Sequence, residues 1–415
     1  QLMFNAVDIV VVGRFSGSQS LAAVGATTAL IYLFTNLFIG ISLGANVLAA
    51  RYYAAGKHEE MSETVHTAMM FALISGIIMI FVGLFFSRLA LEIMGTPSDV
   101  IDQATLYMRI YFLGMPFFML YNYGAAILRA VGDTKRPLIF LIISGVVNAC
   151  LNMLLVIVFH LDVAGVAIAT VTSQFISCVL VIGCLYRTKS SYQLRFSRLK
   201  IRKEYLKPIC QVGIPAGIQS TVINFSNALL QSSVNSFGST TMAGYTAANN
   251  IFGFLYVSVN AITQACMSFT SQNYGLRKLK RMDKILIDCL ILTVVVSLVL
   301  GGGVYLFGAE ILRLYTEEAE VIRCGIEIFA YTTVTYFLCG IMDLFPGALR
   351  GMDRSTVPMI LSVIGTVGTR IVWVFWLFPA HRSLAFLFIS YPASWLITIA
   401  MQVICFYLVR RKVHG

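Results

Sequence analysis

The chain has 415 residues, of which 58% are hydrophobic and 12% charged, and its formal net charge is +11. Soluble domains carry about 25% charged residues, so this composition excludes a water-exposed globular surface. Apolar runs such as 138–158, 164–186 and 384–409 are as long as the ~20 residues that cross a bilayer as a helix. The alternation expected of barrel strands does not occur. The sequence therefore predicts an all-α integral membrane protein.

The apolar runs predict twelve membrane-spanning helices. In chain order they are residues 1–15, 28–50, 62–86, 104–128, 138–159, 163–186, 209–235, 245–270, 285–307, 321–347, 357–379 and 384–409. The first run is too short to cross a bilayer, and the sequence opens on Gln1 rather than Met. We therefore expect a first helix that is truncated at its N-terminus.

The distribution of Lys and Arg predicts the orientation in the membrane. Loops after even-numbered spans, together with the C-terminal tail, hold 23 of the 30 Lys and Arg residues, and loops after odd-numbered spans hold five. Positive charge accumulates on the cytoplasmic side, so we expect a cytoplasmic C-terminus in the inner (plasma) membrane. The basic stretch 187–207 could suggest RNA binding, but the spans on either side favour a loop that faces anionic membrane lipid. No nucleic-acid partner is predicted.

The same basic stretch divides the chain into two halves of six spans. We predict an N-lobe at 1–186, an inter-lobe loop at 187–208 and a C-lobe at 209–415. When the first half is shifted by 221 positions, Leu128 and Arg129 fall on Leu349 and Arg350. Six spans per half make the halves parallel repeats, and two pseudo-symmetric lobes around a cavity are the geometry of alternating access. We expect the protein to be monomeric.

Charges inside a span indicate function, because each costs roughly 2.5–3.5 kcal/mol at the helix centre. Asp8 is the first of them, and Gln1, Phe4 and Asn5 share its helical face. A carboxylate held there could bind a proton or Na⁺ and face a substrate cavity. The alternative is a structural hydrogen bond to a neighbouring helix.

Neutral polar residues of the fifth and sixth spans are candidates for the same site. Asn148 and Asn152 are one helical turn apart on one face, and Thr170 lies in the next span. These side chains could complete an ion site or line the substrate cavity. They could equally hold helices together by hydrogen bonds.

The C-lobe spans carry Asp343 and Arg370. Asp343 suits a second ion site or a substrate contact, but it could instead pair with Arg350 or Arg370. Arg370 lies mid-span and must find a carboxylate, a carbonyl group or water. A structural ion pair and a substrate contact remain equally open for it.

Aromatic and amide side chains could line a cavity for flat organic cations. Tyr121, Asn122 and Tyr256 are candidates for such a cavity, although aromatic residues in membrane helices more often pack or anchor. No metal-ligand spacing, nucleophile elbow or phosphate-binding loop occurs, and Gly301–Gly303 follows no strand, which favours helix packing or a kink. The sequence therefore predicts no enzyme, no metal site and no cofactor beyond a coupling H⁺ or Na⁺.

Several short motifs occur in a specific order along the chain. They are Asn5 with Asp8, Val12–Arg14, Leu21–Gly25, Leu128–Asp133, Gln272–Gly275 and Leu349–Asp353. In this order, over the whole chain, they resemble the MATE (multidrug and toxic compound extrusion) family, apparently without the start of its first helix. The resemblance implies a twelve-helix, two-lobe antiporter that expels organic cations and other drugs in exchange for H⁺ or Na⁺.

The resemblance also implies an N-lobe ion site. The family's helix-one aspartate falls on Asp8, and Gln1, Phe4, Asn148 and Thr170 match polar or aromatic positions around it. Asn152 departs from members that carry Asp there, so a relay that needs two acids is in doubt. The seventh span has amides where some members have an acid, so a C-lobe Na⁺ site would rest on Asp343 alone.

Three other functions remain as alternatives. A flippase for a lipid-linked or other metabolite cargo would keep the fold, but such relatives usually have several cavity cations rather than Arg370 alone. A membrane-embedded enzyme would need a catalytic set at one depth, and no His lies mid-membrane. A passive channel would dissipate gradients in liposomes without counter-transport.

Overall fold

The computed structural model describes residue 8 and residues 11–12, 15–313 and 317–414. The chain divides into two compact units, Gln1–Ile214 and Pro215–Gly415. All regular elements of the described residues are helical. A helix pairs its backbone N–H and C=O groups within its own segment. Lipid offers these groups no hydrogen-bond partners, so apolar segments in a membrane form helices.

From Gly17 onward, the described part of the first unit contains six complete helices and the start of a seventh. They are α1 (Gly17–Ala54), α2 (His58–Ile93), α3 (Ile101–Leu113), α4 (Met115–Ala130), α5 (Lys135–Asn152), α6 (Asp162–Arg187) and α7 (Lys203–Asn235). A π-helical segment, Met153–Val158, continues α5. The described residues Asp8, Val11 and Val12 are also helical.

The second unit continues from α7 in the same manner. Its helices are α8 (Ser239–Gly275), α9 (Leu279–Leu306), α10 (Gly308–Arg313), α11 (Ala319–Thr332), α12 (Tyr336–Gly351), α13 (Thr356–Ser362), α14 (Thr369–Val372) and α15 (Leu384–His414). The π-helical segments Val363–Gly368 and Trp373–Leu377 flank α14, and the 3₁₀ turn Phe378–Ala380 ends this run.

The predicted all-helical membrane fold is confirmed. Eight helices of the described part are long and apolar enough to cross a membrane, or ten if the bent pairs α3–α4 and α11–α12 are each one span. The helix α7 has 33 residues, but its amides and hydroxyls keep it out of that set. The predicted span 1–15 falls mainly outside the described residues.

The internal repeat is visible in the element ends. Helices α4 and α12 end 221 positions apart, at Ala130 and Gly351, and both are bent from the preceding helix, by 47° and 51°. The backbone adopts a left-handed conformation at Gly56 and Gly132, and again 221 positions later at Arg277 and Asp353. Both halves are therefore built on one six-helix pattern.

Large apolar side chains cover the outside of both units. Phe85, Ile93 and Leu306 are 73%, 78% and 75% exposed. A soluble protein rarely exposes apolar surface on this scale, whereas lipid tails solvate it well. Packing inside each unit relies on aromatic and Met side chains, among them Phe112 and Met119 in the first unit and Phe329 in the second.

The basic stretch before α7 is held on the first unit. The N–H of Arg195 donates to His66 Nε2 over 3.0 Å, and the N–H of Arg202 donates to Thr67 Oγ1 over 3.3 Å. Leu194 is buried beside these contacts, and the Arg202 side chain pairs with Glu63 at 2.6 Å. These contacts fix the stretch in place along the start of α2.

Gly301 on α9 allows a close approach at the bend between α11 and α12. A Cβ atom at Gly301 would lie 2.5 Å from the carbonyl oxygen of Thr333, whereas one at Gly302 or Gly303 would meet nothing within 4 Å. The predicted role of these glycines in helix packing is thus confirmed for Gly301 only. The absence of a side chain at Gly301 permits this close contact.

Gly301→Ala should therefore destabilise the protein, because the new methyl group overlaps a carbonyl that cannot move freely. We expect a loss of about 1–3 kcal/mol in the free energy of unfolding, which is typical of overpacking. Gly302→Ala is the matched control, and it should be neutral or gain up to about 1 kcal/mol from helix propensity. Thermal unfolding of the purified proteins in detergent measures both, and equal effects would contradict the packing assignment.

Candidate functional site

Asp8 is buried in the first unit and bound by two neutral donors. Its side chain is 2% exposed. Asn152 Nδ2 donates to one carboxylate oxygen over 2.6 Å, and Thr170 Oγ1 donates to the other over 2.8 Å. The last residue of α5 and the middle of α6 thus both reach the first predicted span.

Asn148 completes this cluster from one turn further back on α5. Its Oδ1 accepts from Asn152 Nδ2 at 3.2 Å, and its Nδ2 donates to Thr170 Oγ1 at 3.4 Å. Asn152 Oδ1 is buried and has no hydrogen-bond partner in the described part of the chain. Asn152 is followed directly by the π-helical segment Met153–Val158, and such segments are frequent at functional sites.

The charge of Asp8 is not balanced by a cation among the described residues. The groups that hydrogen-bond to its carboxylate are the amides of Asn152 and Asn148 and the hydroxyl of Thr170, all of them neutral. A buried carboxylate without a cationic partner is costly, and a bound proton or metal ion removes that cost. Carboxylate, amide and hydroxyl oxygens are also the ligands that hard cations prefer. The cluster can therefore hold H⁺ or Na⁺.

A cavity of about 220 Å³ opens beside Asp8 within the first unit. Its wall is mostly aromatic and polar. The lining residues are Asp8, Thr28, Ile31, Tyr32, Thr35, Asn36, Ile39, Tyr107, Tyr111, Phe118, Tyr121, Leu141, Thr170, Gln174 and Ser177. Tyrosine faces attract cations and stack on flat rings, so this surface suits an aromatic cation.

Asp343 belongs to a polar chain in the second unit. The Tyr256 hydroxyl hydrogen-bonds to its carboxylate, and Arg350 is the cation that acts on it. Asn260 Nδ2 donates to the Tyr256 hydroxyl at 3.5 Å, and Arg350 Nη2 donates to Gln219 Oε1 at 2.6 Å. Of the two predicted partners of Asp343, Arg350 is the one whose charge acts on it, but the described residues show no ion pair between Asp343 and either arginine.

Arg370 lies elsewhere in the second unit, on α14. Its side chain is 2% exposed, and Nη1 donates to Asn227 Oδ1 on α7 over 2.7 Å. The Tyr391 ring packs against the guanidinium group, with 4.5 Å between the guanidinium carbon and the ring centroid. Asp343 is not among the groups that act on Arg370.

The predicted site residues thus fall into separate groups. Asp8, Asn148, Asn152 and Thr170 form one cluster, and Tyr121 lines the adjoining cavity with its hydroxyl donated to Pro137 O at 2.9 Å. Asn122 instead donates to Phe118 O at 2.8 Å and does not line that cavity. Tyr256 joins Asp343, and Arg370 forms its own group. Gln1, Phe4 and Asn5 are outside the described residues.

Other cavity residues were not predicted from the sequence. Thr28, Tyr32, Thr35 and Asn36 form a polar stripe along one face of α1, and α6 carries Gln174 one turn after Thr170. Polar residues that recur with helical spacing inside an apolar span would have indicated them. A charge inside an apolar span is a stronger sequence indicator of a functional residue, and among the cavity residues only Asp8 carries one.

Comparisons with known proteins agree with this architecture. The family model described as MatE matches residues 1–154 and 215–376. The probable multidrug resistance protein YoeA of Bacillus subtilis (strain 168) is 28% identical over 406 residues, which cover 95% of this chain and 87% of that protein. The multidrug export protein MepA of Staphylococcus aureus (strain NCTC 8325 / PS 47) is 21% identical, over 88% of this chain and 80% of that protein.

Solved structures share the fold. The crystal structure of a mutant of the Vibrio cholerae MATE transporter VcmN superposes with a TM-score of 0.91 at 18% identity. The match covers 99% of this chain and 93% of that chain. At this level of identity the likeness concerns the fold and not the ligand.

Asn152→Asp should make the stability of the protein strongly dependent on pH. The two carboxylates would face each other across the present 2.6 Å contact and could not both be ionised. The folded pair must then keep a proton that the unfolded chain releases at neutral pH, so the variant should lose stability as pH rises from about 5 to 8.

The unfolding midpoint across that pH range measures the effect, and added Na⁺ should restore part of the loss. Asn152→Leu, which has a similar volume and no charge, is the control: it removes only the hydrogen bond to Asp8, so its loss of stability with rising pH should be clearly smaller than that of Asn152→Asp. A pH-independent difference between Asn152→Asp and wild type would contradict the direct contact with Asp8.

Proposed function

Since the chain belongs to the MatE family, whose members are transporters and not enzymes, we propose that it exports organic cations and other drugs in exchange for H⁺ or Na⁺. The observation that carries this proposal is Asp8. It is a buried carboxylate with neutral hydrogen-bond donors and no cationic partner among the described residues, and it forms part of a cavity wall. Binding of a mobile cation would remove the free-energy cost of burying this unpaired charge.

In this proposal Asp8 is the coupling residue. When it is ionised, its charge attracts a cationic cargo into the tyrosine-lined cavity. A proton or Na⁺ that binds at Asp8, Asn148, Asn152 and Thr170 neutralises the carboxylate and removes that attraction. Cargo and ion therefore favour different states of the transporter, which is the condition for exchange by alternating access.

The choice of cargo rests on the cavity and on the relatives. Tyr32, Tyr107 and Tyr111 present aromatic faces to the cavity, and Tyr107 and Tyr111 stack with 6.2 Å between ring centroids. Flat cations are the ligands that such surfaces hold best. YoeA and MepA are named as multidrug resistance and export proteins, which supports a broad range of drugs.

The protein is a multi-pass membrane protein, and we place it in the plasma membrane with a cytoplasmic C-terminus. The excess of Lys and Arg in the even-numbered loops and in the tail supports this orientation. Removal of a C-terminal tag by protease added to intact cells would contradict it.

Asp8→Asn tests the coupling role. Asparagine keeps the size of the side chain and loses the charge, so ion exchange should fall to the background of vesicles without the protein, while the fold is retained. The measurement is uptake of a fluorescent organic cation into inverted membrane vesicles, with a pH gradient and a Na⁺ gradient imposed separately. The gradient that drives wild-type uptake identifies the coupling ion.

Asp102→Asn is the matched control. Asp102 is exposed on α3 and pairs with Arg88 at 2.9 Å, a contact worth about 0–1 kcal/mol. This variant should transport like wild type. Gradient-driven export by Asp8→Asn at the wild-type rate would refute the proposed function.

A further inference from the structure

The second unit buries a positive charge that no acid of the described residues neutralises. Arg370 is 2% exposed in the middle of a predicted span. The groups that act on it are the rings of Tyr391 and Tyr245 and the thiol of Cys339, which are neutral at physiological pH. An arginine in that position is expensive unless it finds an anion.

Three acids of the second unit have neighbours other than Arg370. Asp343 is bound by the Tyr256 hydroxyl and acted on by Arg350. Asp283 pairs with Arg410, and Glu320 pairs with Arg323 at 3.7 Å. A structural ion pair of Arg370 with Asp343, which the sequence left open, is therefore not formed.

One edge of the guanidinium group is unused. Nη1 donates to Asn227, but the buried Nε has no hydrogen-bond partner in the described part of the chain. Nε and Nη2 together form the edge that binds a carboxylate through two parallel hydrogen bonds. The guanidinium carbon lies over the Tyr391 ring, 4.5 Å from the ring centroid, and this contact holds the group from another side.

The repeat relates this position to the Asp8 cluster of the first unit. Tyr391 lies 221 positions after Thr170, and Arg370 follows directly after Thr369, the counterpart of Asn148. The π-helical segment Met153–Val158 and the segment Trp373–Leu377 also correspond. The charged residues themselves do not superpose, since Asp8 falls on Leu229 and Arg370 on Ala149, but corresponding helices surround an acid in one unit and a base in the other.

We propose that Arg370, packed against the Tyr391 ring, binds a carboxylate group of the transported molecule through its free Nε–Nη2 edge. The preferred cargo is then a flat zwitterion that carries a carboxylate beside its cationic group, rather than a molecule with cationic groups alone. This inference rests on the proposed function and narrows its substrate class. The planar fork of Arg370 recognises the carboxylate, and the Asp8 cluster remains the place of the coupling ion.

A matched pair of dyes tests the carboxylate site. One is a rhodamine with a free benzoate carboxylate, and the other is its methyl ester, which is a pure cation of nearly the same shape. Purified wild-type protein should bind the free carboxylate about tenfold more tightly than the ester, as a bidentate contact implies. Arg370→Gln should abolish this preference and leave binding of the ester unchanged.

Arg370→Lys keeps the positive charge but lacks the planar guanidinium edge that makes two parallel hydrogen bonds. It should therefore also lose most of the preference for the free carboxylate dye. Asn227→Ala separates recognition from structure, because it removes the helix contact and leaves the Nε–Nη2 edge. It should keep a clear preference for the carboxylate even if its unfolding midpoint falls. A preference lost equally in Asn227→Ala and Arg370→Gln would assign Arg370 a purely structural role and overturn the proposal.

Wild-type protein alone can also refute the carboxylate site. Equal affinity for the two dyes overturns it, whether or not the Arg370 variants fold. Acetate or chloride could also raise the unfolding midpoint of wild type and not that of Arg370→Gln. If the two dyes then bind with equal affinity, Arg370 is a site for a free anion, and the assignment to cargo is overturned. Gradient-driven export of the ester reports on the proposed function separately, so its loss would refute the transport proposal and not the binding preference.

Discussion

The free-energy cost of burying charge in an apolar medium governs both the fold and the site of this protein. Helices satisfy the backbone within apolar segments, and large side chains such as Phe85 and Leu306 face outward because lipid accepts them. The same constraint makes every buried ionisable side chain informative. Asp8 and Arg370 are each 2% exposed, and among the described residues neither is paired with an opposite charge. Binding of a mobile ion or of a charged ligand group would therefore lower the free energy of each of these buried charges.

The internal repeat places these two charges in related surroundings. In the first unit, α5 and α6 supply Asn148, Asn152 and Thr170 around an acid. In the second unit, α7 and α15 supply Asn227 and Tyr391 around a base. A duplicated scaffold of this kind keeps its helix ends, bends and π-helical segments, while substitutions at different positions of the repeat, Asp8 against Leu229 and Arg370 against Ala149, give the two halves buried charges of opposite sign. Our proposals assign the acid to the coupling ion and the base to a carboxylate on the cargo.

Much of the fold could be predicted from the sequence, because membrane spans are set by length and apolarity alone. The repeat could also be predicted, since one offset of 221 positions, without a gap, relates the helices of the first unit to those of the second. The bends between α3 and α4 and between α11 and α12 were not predicted, because each lies inside one continuous apolar run. In the site, the spacing of Asn148 and Asn152 indicated a shared face, but only tertiary packing joins them to Asp8. That the charge of Arg350, and not that of Arg370, acts on Asp343 likewise depends on tertiary packing that a linear pattern does not contain.

The central claim is that Asp8 itself takes up the coupling ion, and infrared difference spectroscopy of the purified protein tests it most directly. Spectra are recorded while Na⁺ is added at constant pH and while pH is lowered without Na⁺, for wild type and for Asp8→Asn. The account predicts a carboxyl band in the wild-type difference spectrum, from loss or gain of the ionised carboxylate, that is missing from the variant. An identical carboxyl band in both proteins would contradict it, because the ion would then bind at some other acid.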